Sequence, residues 1–400
     1  MAAGRREGSL LEAVAIISDA ENQVHLTDRD KTARKNLEKL VDSLNHEAGL
    51  SEAGAAVARQ ILTAHAINRL QGLKWLGDHP EIDDQVIEAP LFLLGLPRSG
   101  GSYFQSRSDR DGRFRLIRSW ECATPSPPPG FDPASAARRK AEWLERYRRD
   151  RVDFDGFNAL QPYNQDGWDE CHAFLAQSSG AAGVHNLFHV PEYFDYLINE
   201  ADLAETYRIH KRQLQLLQWQ SARKPWILKY PSHVLGMHEI LQVYPDARFV
   251  MTHRDPVQSL ALTLKLTGEL RGRRTEKQVN PLELGRDILH FIQRHIDRIM
   301  EFDDGPESGR VIHIDYYALI DDPMTEMRRI HAWLGIETPN DTVEAVDEWH
   351  RANPRSARER HDDTLAQWGL DDAEVAEQFG EYMSRFGIPR EREALAQLGG

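Results

Sequence analysis

Gly95, Gly100 and Ser102 in "GLPRSGGS" occupy the glycine and hydroxyl positions of the phosphate-loop pattern G-x-x-x-x-G-K-[ST]. In such a loop successive backbone N–H groups point into one concavity, and the helix that follows adds its positive end. The lysine of a nucleoside triphosphatase bridges the β- and γ-phosphates while Ser or Thr binds Mg²⁺. Here Gly101 stands where that lysine would be, and Arg98 lies three residues earlier. A carboxylate for Mg²⁺ is poorly provided: Asp255 ends "RFVMTHRD" beside Arg254, which repels a metal, and Asp315 follows "VIHI". A smaller anion held without metal fits better, with Arg98 offering planar paired donors. Two readings compete with it, a plain strand-to-helix turn and a kinase whose lysine is displaced.

A second anion-holding turn follows another apolar run. In "FVMTHRDPVQSLA" Arg254 leaves a strand, and Ser259 sits on the helix that opens next. Taken alone, Arg254 and Asp255 read as a surface ion pair. Two strand-exit anion sites in one sheet are harder to dismiss, because ligands of open α/β sheets bind at the carboxyl ends of the strands. His185 and His189 in "HNLFH" have a spacing that can chelate zinc, but no third ligand accompanies them, and no metal site is assigned.

The elements that must position these residues follow from periodicity. Leu37, Leu40, Val41 and Leu44 fall on one helical face, and residues 1 to about 88 read as helical throughout. "APLFLLG", "PWILK", "ARFVMTH" and "GRVIHID" read as buried strands separated by helical segments. "ASAARRKAEWLERYRRDR" is an amphipathic basic helix, and Tyr207, His210, Leu214 and Leu217 form a further helical stripe. This alternation predicts an α/β fold: a parallel central sheet with helices on both faces, phosphate-loop-like, with helical extensions at both ends. One domain over 1–400 is expected, made of a helical extension 1–88, an α/β core 89–335 and a helical segment 336–400.

Composition bounds the partners. Over 400 residues, 40% hydrophobic and 28% charged content describes an ordinary globular protein with a large core. A net charge of −14 argues against a general nucleic-acid binder, so any anion site must be local. The two cysteines, Cys122 and Cys171, fit a reducing compartment. No signal peptide is recognisable, and no apolar run approaches the roughly 20 residues of a spanning helix, so a cytoplasmic location is expected. Oligomeric state is left open.

Six blocks in order resemble the bacterial sulfotransferases that use 3′-phosphoadenosine 5′-phosphosulfate (PAPS). "APLFLLGLPRSGGS" is similar to their loop for the 5′-phosphosulfate, and "DGRFRLIRSWE" to the segment after it. "KPWILKYPSH" resembles their PW-x-LK-x-P-x-H strand exit, and "YPDARFVMTHRDP" their 3′-phosphate strand. "DYYALIDDPMTEMRRIHAWLGI" and "QWGLDDAEVAEQFGEYMSRFGI" resemble the C-terminal blocks. Three departures fall on donor-binding segments: Gly101 replaces the usual Thr or Ser, "SYFQSRSDRDG" is polar, and Leu262 stands where a serine usually holds the 3′-phosphate, leaving Ser259 or Thr263 as substitutes.

The resemblance implies sulfonate transfer from PAPS to a hydroxyl of a small molecule or lipid, without metal. It implies that Arg98, Ser99, Gly100, Gly101, Ser102 and Tyr103 hold the 5′ group, and that Arg254 and Ser259 hold the 3′-phosphate. Arg355 and Arg358, with Arg360, would close over that phosphate, the other reading of "NPRSARERH" being an exposed charged linker. Lys229 would be the second cation at the transferring sulfonate, and two residues compete as base, Glu121 and His233. A sulfotransferase-fold protein that binds a nucleotide or partner without turnover is the alternative.

Overall fold

The computed structural model describes residues 10–150, 167–352 and 364–398. The chain divides into two compact units, one drawn from 1–87, 118–223 and 266–279, the other from 88–117, 224–265 and 280–400. Among the described residues no helix is long and apolar enough to cross a membrane.

The first unit is helical. The helix Lys31–His46 starts where the Asp30 carboxylate accepts from the Ala33 N–H. Ser51 caps Glu52–Asp78 by accepting from Gly54, and Asp202 caps Leu203–Gln218 by accepting from Glu205. Each cap satisfies an N–H that has no partner within its helix. The apolar stripe Leu37, Leu40, Val41 and Leu44 is buried, as are Tyr207, His210, Leu214 and Leu217. Arg69 pairs with Asp28 inside this unit, and its Nε donates to the Gln177 carbonyl at 3.0 Å. Burial pushes the Asp28 carboxyl upward, but the Arg69 guanidinium, the Asp30 N–H and Arg34 together hold the group below the usual range.

Two histidines of this unit carry a stability consequence. His210 is wholly buried, and burial pulls its pKa down to about 3; His65 is pulled down to about 3 by burial and by neighbouring His172. Folded, both stay neutral, whereas the unfolded chain takes up their protons near pH 6.5. Their contribution is complete above that pH and is lost as pH falls toward the folded values. Each such histidine steepens the loss by about 1.4 kcal/mol per pH unit. Urea midpoints should therefore fall between pH 6.5 and 5, and His210→Gln should flatten that slope. An unchanged slope in the variant would contradict the burial argument.

The second unit is built on five parallel strands, β1 Leu91–Gly95, β2 Arg115–Leu116, β3 Trp226–Lys229, β4 Arg248–His253 and β5 Val311–Asp315. Their order is β2-β3-β1-β4-β5. Every residue of β1 and β3 is buried, which is why both read as unbroken apolar runs and not as alternating ones. Phe92 on β1 meets Phe249 on β4 at 6.0 Å and Tyr244 at 5.5 Å, and Phe249 meets Phe302, so aromatic rings fill the space beside the sheet.

The four strands expected from apolar runs are present. β2 is an addition: two residues are too few to leave a periodic signal. Because the strands are parallel, the exits of β3, β1 and β4 share one edge. The register sets Leu93 opposite Lys229 and Gly95 opposite Thr252. The chain crosses β1 on its way from β3 to β4, so the order reverses at this edge, where α/β sheets bind ligands.

Candidate active site

Beyond β1 the main chain curls through three left-handed positions: Gly95 at φ 139°, Arg98 at φ 67° and Gly100 at φ 102°. A Cβ at Gly95 would lie 2.5 Å from the Thr252 carbonyl oxygen, and one at Gly100 would lie 2.6 Å from Tyr316 Cδ2. Only glycine fits either place. Arg98 has no such freedom, and holding a non-glycine residue there costs on the order of 1–3 kcal/mol, a strain that clusters at ligand sites. The Ser99 hydroxyl donates to the Leu96 carbonyl at 2.6 Å and lies 2.8 Å from Thr252 Oγ1, which pins the curl to β4. The helix Gly101–Ser108 then begins with Gly100 as its N-cap, with no side chain capping its first turn. A curled main chain followed by a helix start is the form of an anion cradle.

The cation missing from position 101 arrives from the neighbouring strand. Lys229 ends β3, and its Nζ donates to Ser102 Oγ at 3.1 Å. A Cβ at position 101 would approach Lys229 Cε at 3.2 Å, tighter than ordinary contact. Gly101 thus leaves room for the lysine stem. The ammonium stands at the start of the helix, delivered across the sheet instead of along the loop.

Arg254 follows β4 and is almost wholly enclosed. Its Nε and Nη2 donate to the two Glu391 carboxylate oxygens at 2.6 and 2.7 Å, and its Nη1 donates to the Arg98 carbonyl at 2.9 Å. Its guanidinium carbon lies 4.5 Å from the centre of the Tyr316 ring. Burial alone would loosen its proton, but Tyr316 and the Glu391 carboxylate hold it charged, above the usual range. Ser259, in the first turn of the helix Pro256–Gly272, is fully buried, and its Oγ has no hydrogen-bond partner among the described residues. An orphaned hydroxyl costs about 1–3 kcal/mol unless something fills its valence. A phosphate oxygen would.

The carboxylates weighed for Mg²⁺ are engaged by other groups. Asp255 accepts from the Val257 N–H, from Arg390 Nε and from the Glu391 N–H, all within 3.0 Å. Asp315 caps the next helix, accepting from Tyr317 and Ala318 N–H.

Not every sequence candidate joins this group. Tyr103 is present, its hydroxyl 3.3 Å from His350 Nδ1 and its ring beneath the Arg107 guanidinium. His233 lies in the core of the same unit, wholly buried, its ring edge-on to Phe92 at 4.9 Å and to Tyr230 at 5.4 Å. Glu121 belongs to the helical unit, where its Oε2 accepts from the Arg118 N–H at 2.9 Å in a capping box. There it is the foremost charge opposing the downward push of burial on Arg139. Arg355 and Arg358 fall outside the described residues. The His189 Nδ1 lies 2.9 Å from Arg271 Nη1, an unsuitable neighbour for a metal cation. Two contacts escaped sequence reasoning, Glu391 on Arg254 and Tyr316 under it; "REREALAQ" carries only the signal of an exposed charged helix.

Comparison with known proteins gives the family. The sulfotransferase family model matches residues 90–340. Omega-hydroxy-beta-dihydromenaquinone-9 sulfotransferase Stf3 of Mycobacterium bovis is 27% identical over 321 residues, covering 78% of this chain and 79% of that protein. The Mycobacterium tuberculosis protein of the same name gives the same figures. The crystal structure of sulfotransferase STF9 from Mycobacterium avium matches with a TM-score of 0.87 at 26% identity, covering 97% of this chain and all of that one. Sulfotransferase STF1 from Mycobacterium tuberculosis matches at 0.77 and 26% identity, over 93% and 99% of the two chains. Since the family model spans more than half of its length, the chain belongs to the sulfotransferase family and is an enzyme of sulfonate transfer.

Proposed function

We propose that the chain moves a sulfonate group from PAPS to a hydroxyl on an apolar small molecule or lipid, without a metal ion. The observation that carries this is Lys229 Nζ on Ser102, which puts a cation at the mouth of a lysine-less phosphate cradle. PAPS supplies the sulfonate on a phosphate leaving group. The main chain of residues 99–102 and the Arg98 guanidinium hold the 5′ group, and Lys229 offsets charge on the oxygens between sulfur and phosphorus. This is positioning plus electrostatics, as in phosphoryl transfer. Arg254 and the Ser259 hydroxyl face the 3′-phosphate. Asp255 is engaged by backbone N–H groups and Arg390, and Asp315 caps a helix, which supports a site without Mg²⁺.

Glu121 serves as base in this reading on the resemblance of its place in "RSWE" to the carboxylate of related sulfotransferases; both it and His233 are buried. The apolar acceptor rests on the similarity to Stf3, whose name describes a hydroxylated menaquinone derivative. The test is mass spectrometry after incubation with isotopically labelled PAPS, EDTA and a panel of long-chain alcohols and lipid extracts. Labelled sulfonate should appear on an apolar hydroxyl, and Glu121→Gln should slow transfer roughly 10²-fold with PAP affinity unchanged. Full activity in Glu121→Gln with loss in His233→Ala would move the base.

A further inference from the structure

The Arg254 guanidinium already holds an anion. A carboxylate across Nε and Nη2 makes the fork-to-fork pairing that a phosphate makes with arginine, and Glu391 provides it at 2.6 and 2.7 Å. With Nη1 on the Arg98 carbonyl and Tyr316 against its plane, little of the guanidinium is left for a ligand. The carboxylate is held from behind as well. The Tyr317 hydroxyl donates to Glu391 Oε2 at 3.0 Å, and the Glu391 N–H and Arg390 Nε both reach Asp255 Oδ2. The following helix, Glu391–Gln397, packs Ala394, Leu395 and Leu398 with Tyr317, Ile320, Tyr316 and Tyr103. This segment is therefore fastened to the turn after β4 at three polar points and to the helix after β5 by an apolar cluster, while Ser259 Oγ, in the first turn of the helix after β4, has no hydrogen-bond partner among the described residues.

From this arrangement we propose that Glu391 sets how strongly the enzyme recognises the 3′-phosphate of its donor, by occupying the guanidinium face that this phosphate must take. The proposal rests on the PAPS reading above. A phosphate brings about two negative charges and three acceptor oxygens against one charge and two oxygens on the carboxylate, so it can displace Glu391. Displacement lowers its apparent affinity by the fraction of molecules in which the arginine is open. The 5′ group meets no such competitor. Wild-type protein should accordingly distinguish PAP from adenosine 5′-phosphate weakly for an enzyme with an arginine in that position.

Calorimetric titration of wild type, Glu391→Gln, Glu391→Ala and Arg98→Ala with PAP and with adenosine 5′-phosphate tests this. Both Glu391 variants should bind PAP about tenfold more tightly and adenosine 5′-phosphate as wild type does. Binding of PAP by the Glu391 variants alone would also support the proposal. Hydrogen exchange on wild-type protein gives a readout free of substitution: PAP, but not adenosine 5′-phosphate, should speed exchange across 391–398. If Arg98→Ala loses PAP while the Glu391 variants bind as wild type and exchange at 391–398 is unmoved, the proposal is overturned and the donor reading stands. If no protein binds PAP, both are overturned.

Discussion

Lys229→Met should slow sulfonate transfer about 10³-fold while leaving the fold and most PAP affinity in place. Removing one preorganised donor from a developing charge costs roughly 10²–10³ in rate, and an ammonium lies at the upper end because a full charge is lost. Methionine keeps the stem that fills the space over Gly101, so the loss is electrical and not a packing defect. In the proposed reading the bridging oxygen stays on PAP as a 5′-phosphate oxygen, where the main chain of residues 99–102 and Arg98 still hold it, so PAP binding should change by less than tenfold. The check is kcat, KM and PAP affinity measured on one preparation. A variant with kcat near wild type and weakened PAP binding would make Lys229 a simple anchor for ground-state phosphate.

Gly95→Ala should lower stability by about 3 kcal/mol and abolish PAP binding. Two costs combine: a φ of 139° that L residues rarely adopt, and a Cβ placed 2.5 Å from the Thr252 carbonyl oxygen. Strain of this kind is worth about 1–3 kcal/mol, and forced overpacking about as much again. The backbone of β4 cannot yield without moving Arg254, so the damage spreads to the cradle. Gly309→Ala is the control, since a Cβ there meets nothing within 4 Å; its urea midpoint should stay within the error of wild type. A Gly95 variant as stable as that control would show the loop to be plastic.

Much of the frame was readable from local pattern. Continuous apolar runs ending at Gly95, Lys229, His253 and Asp315 mark buried parallel strands, because sheets covered on both faces select such runs. Arg98, Ser102, Lys229 and Arg254 could be named from their places at strand exits, and the register of β3 and β4 on β1 draws them together. What escaped depends on contacts across long stretches of chain. β2 has two residues and no period of its own. The closeness of Gly101 to Lys229 is visible only once Leu93 is seen opposite Lys229, and Glu391 reaches Arg254 from the far end of the chain. Nor does the sequence tell that residues drawn from 1–87, 118–223 and 266–279 form one unit, with Glu121 inside it.

The central claim is that main-chain amides and the Arg98 guanidinium grip the donor's 5′ group without a divalent ion. Calorimetric titration of PAP in EDTA, wild type beside Arg98→Ala, tests it most directly. Wild-type protein should bind with an affinity that added Mg²⁺ leaves unchanged, and the variant should lose at least tenfold of it. Equal binding by the two proteins, or binding that appears only when Mg²⁺ is restored, would contradict the claim.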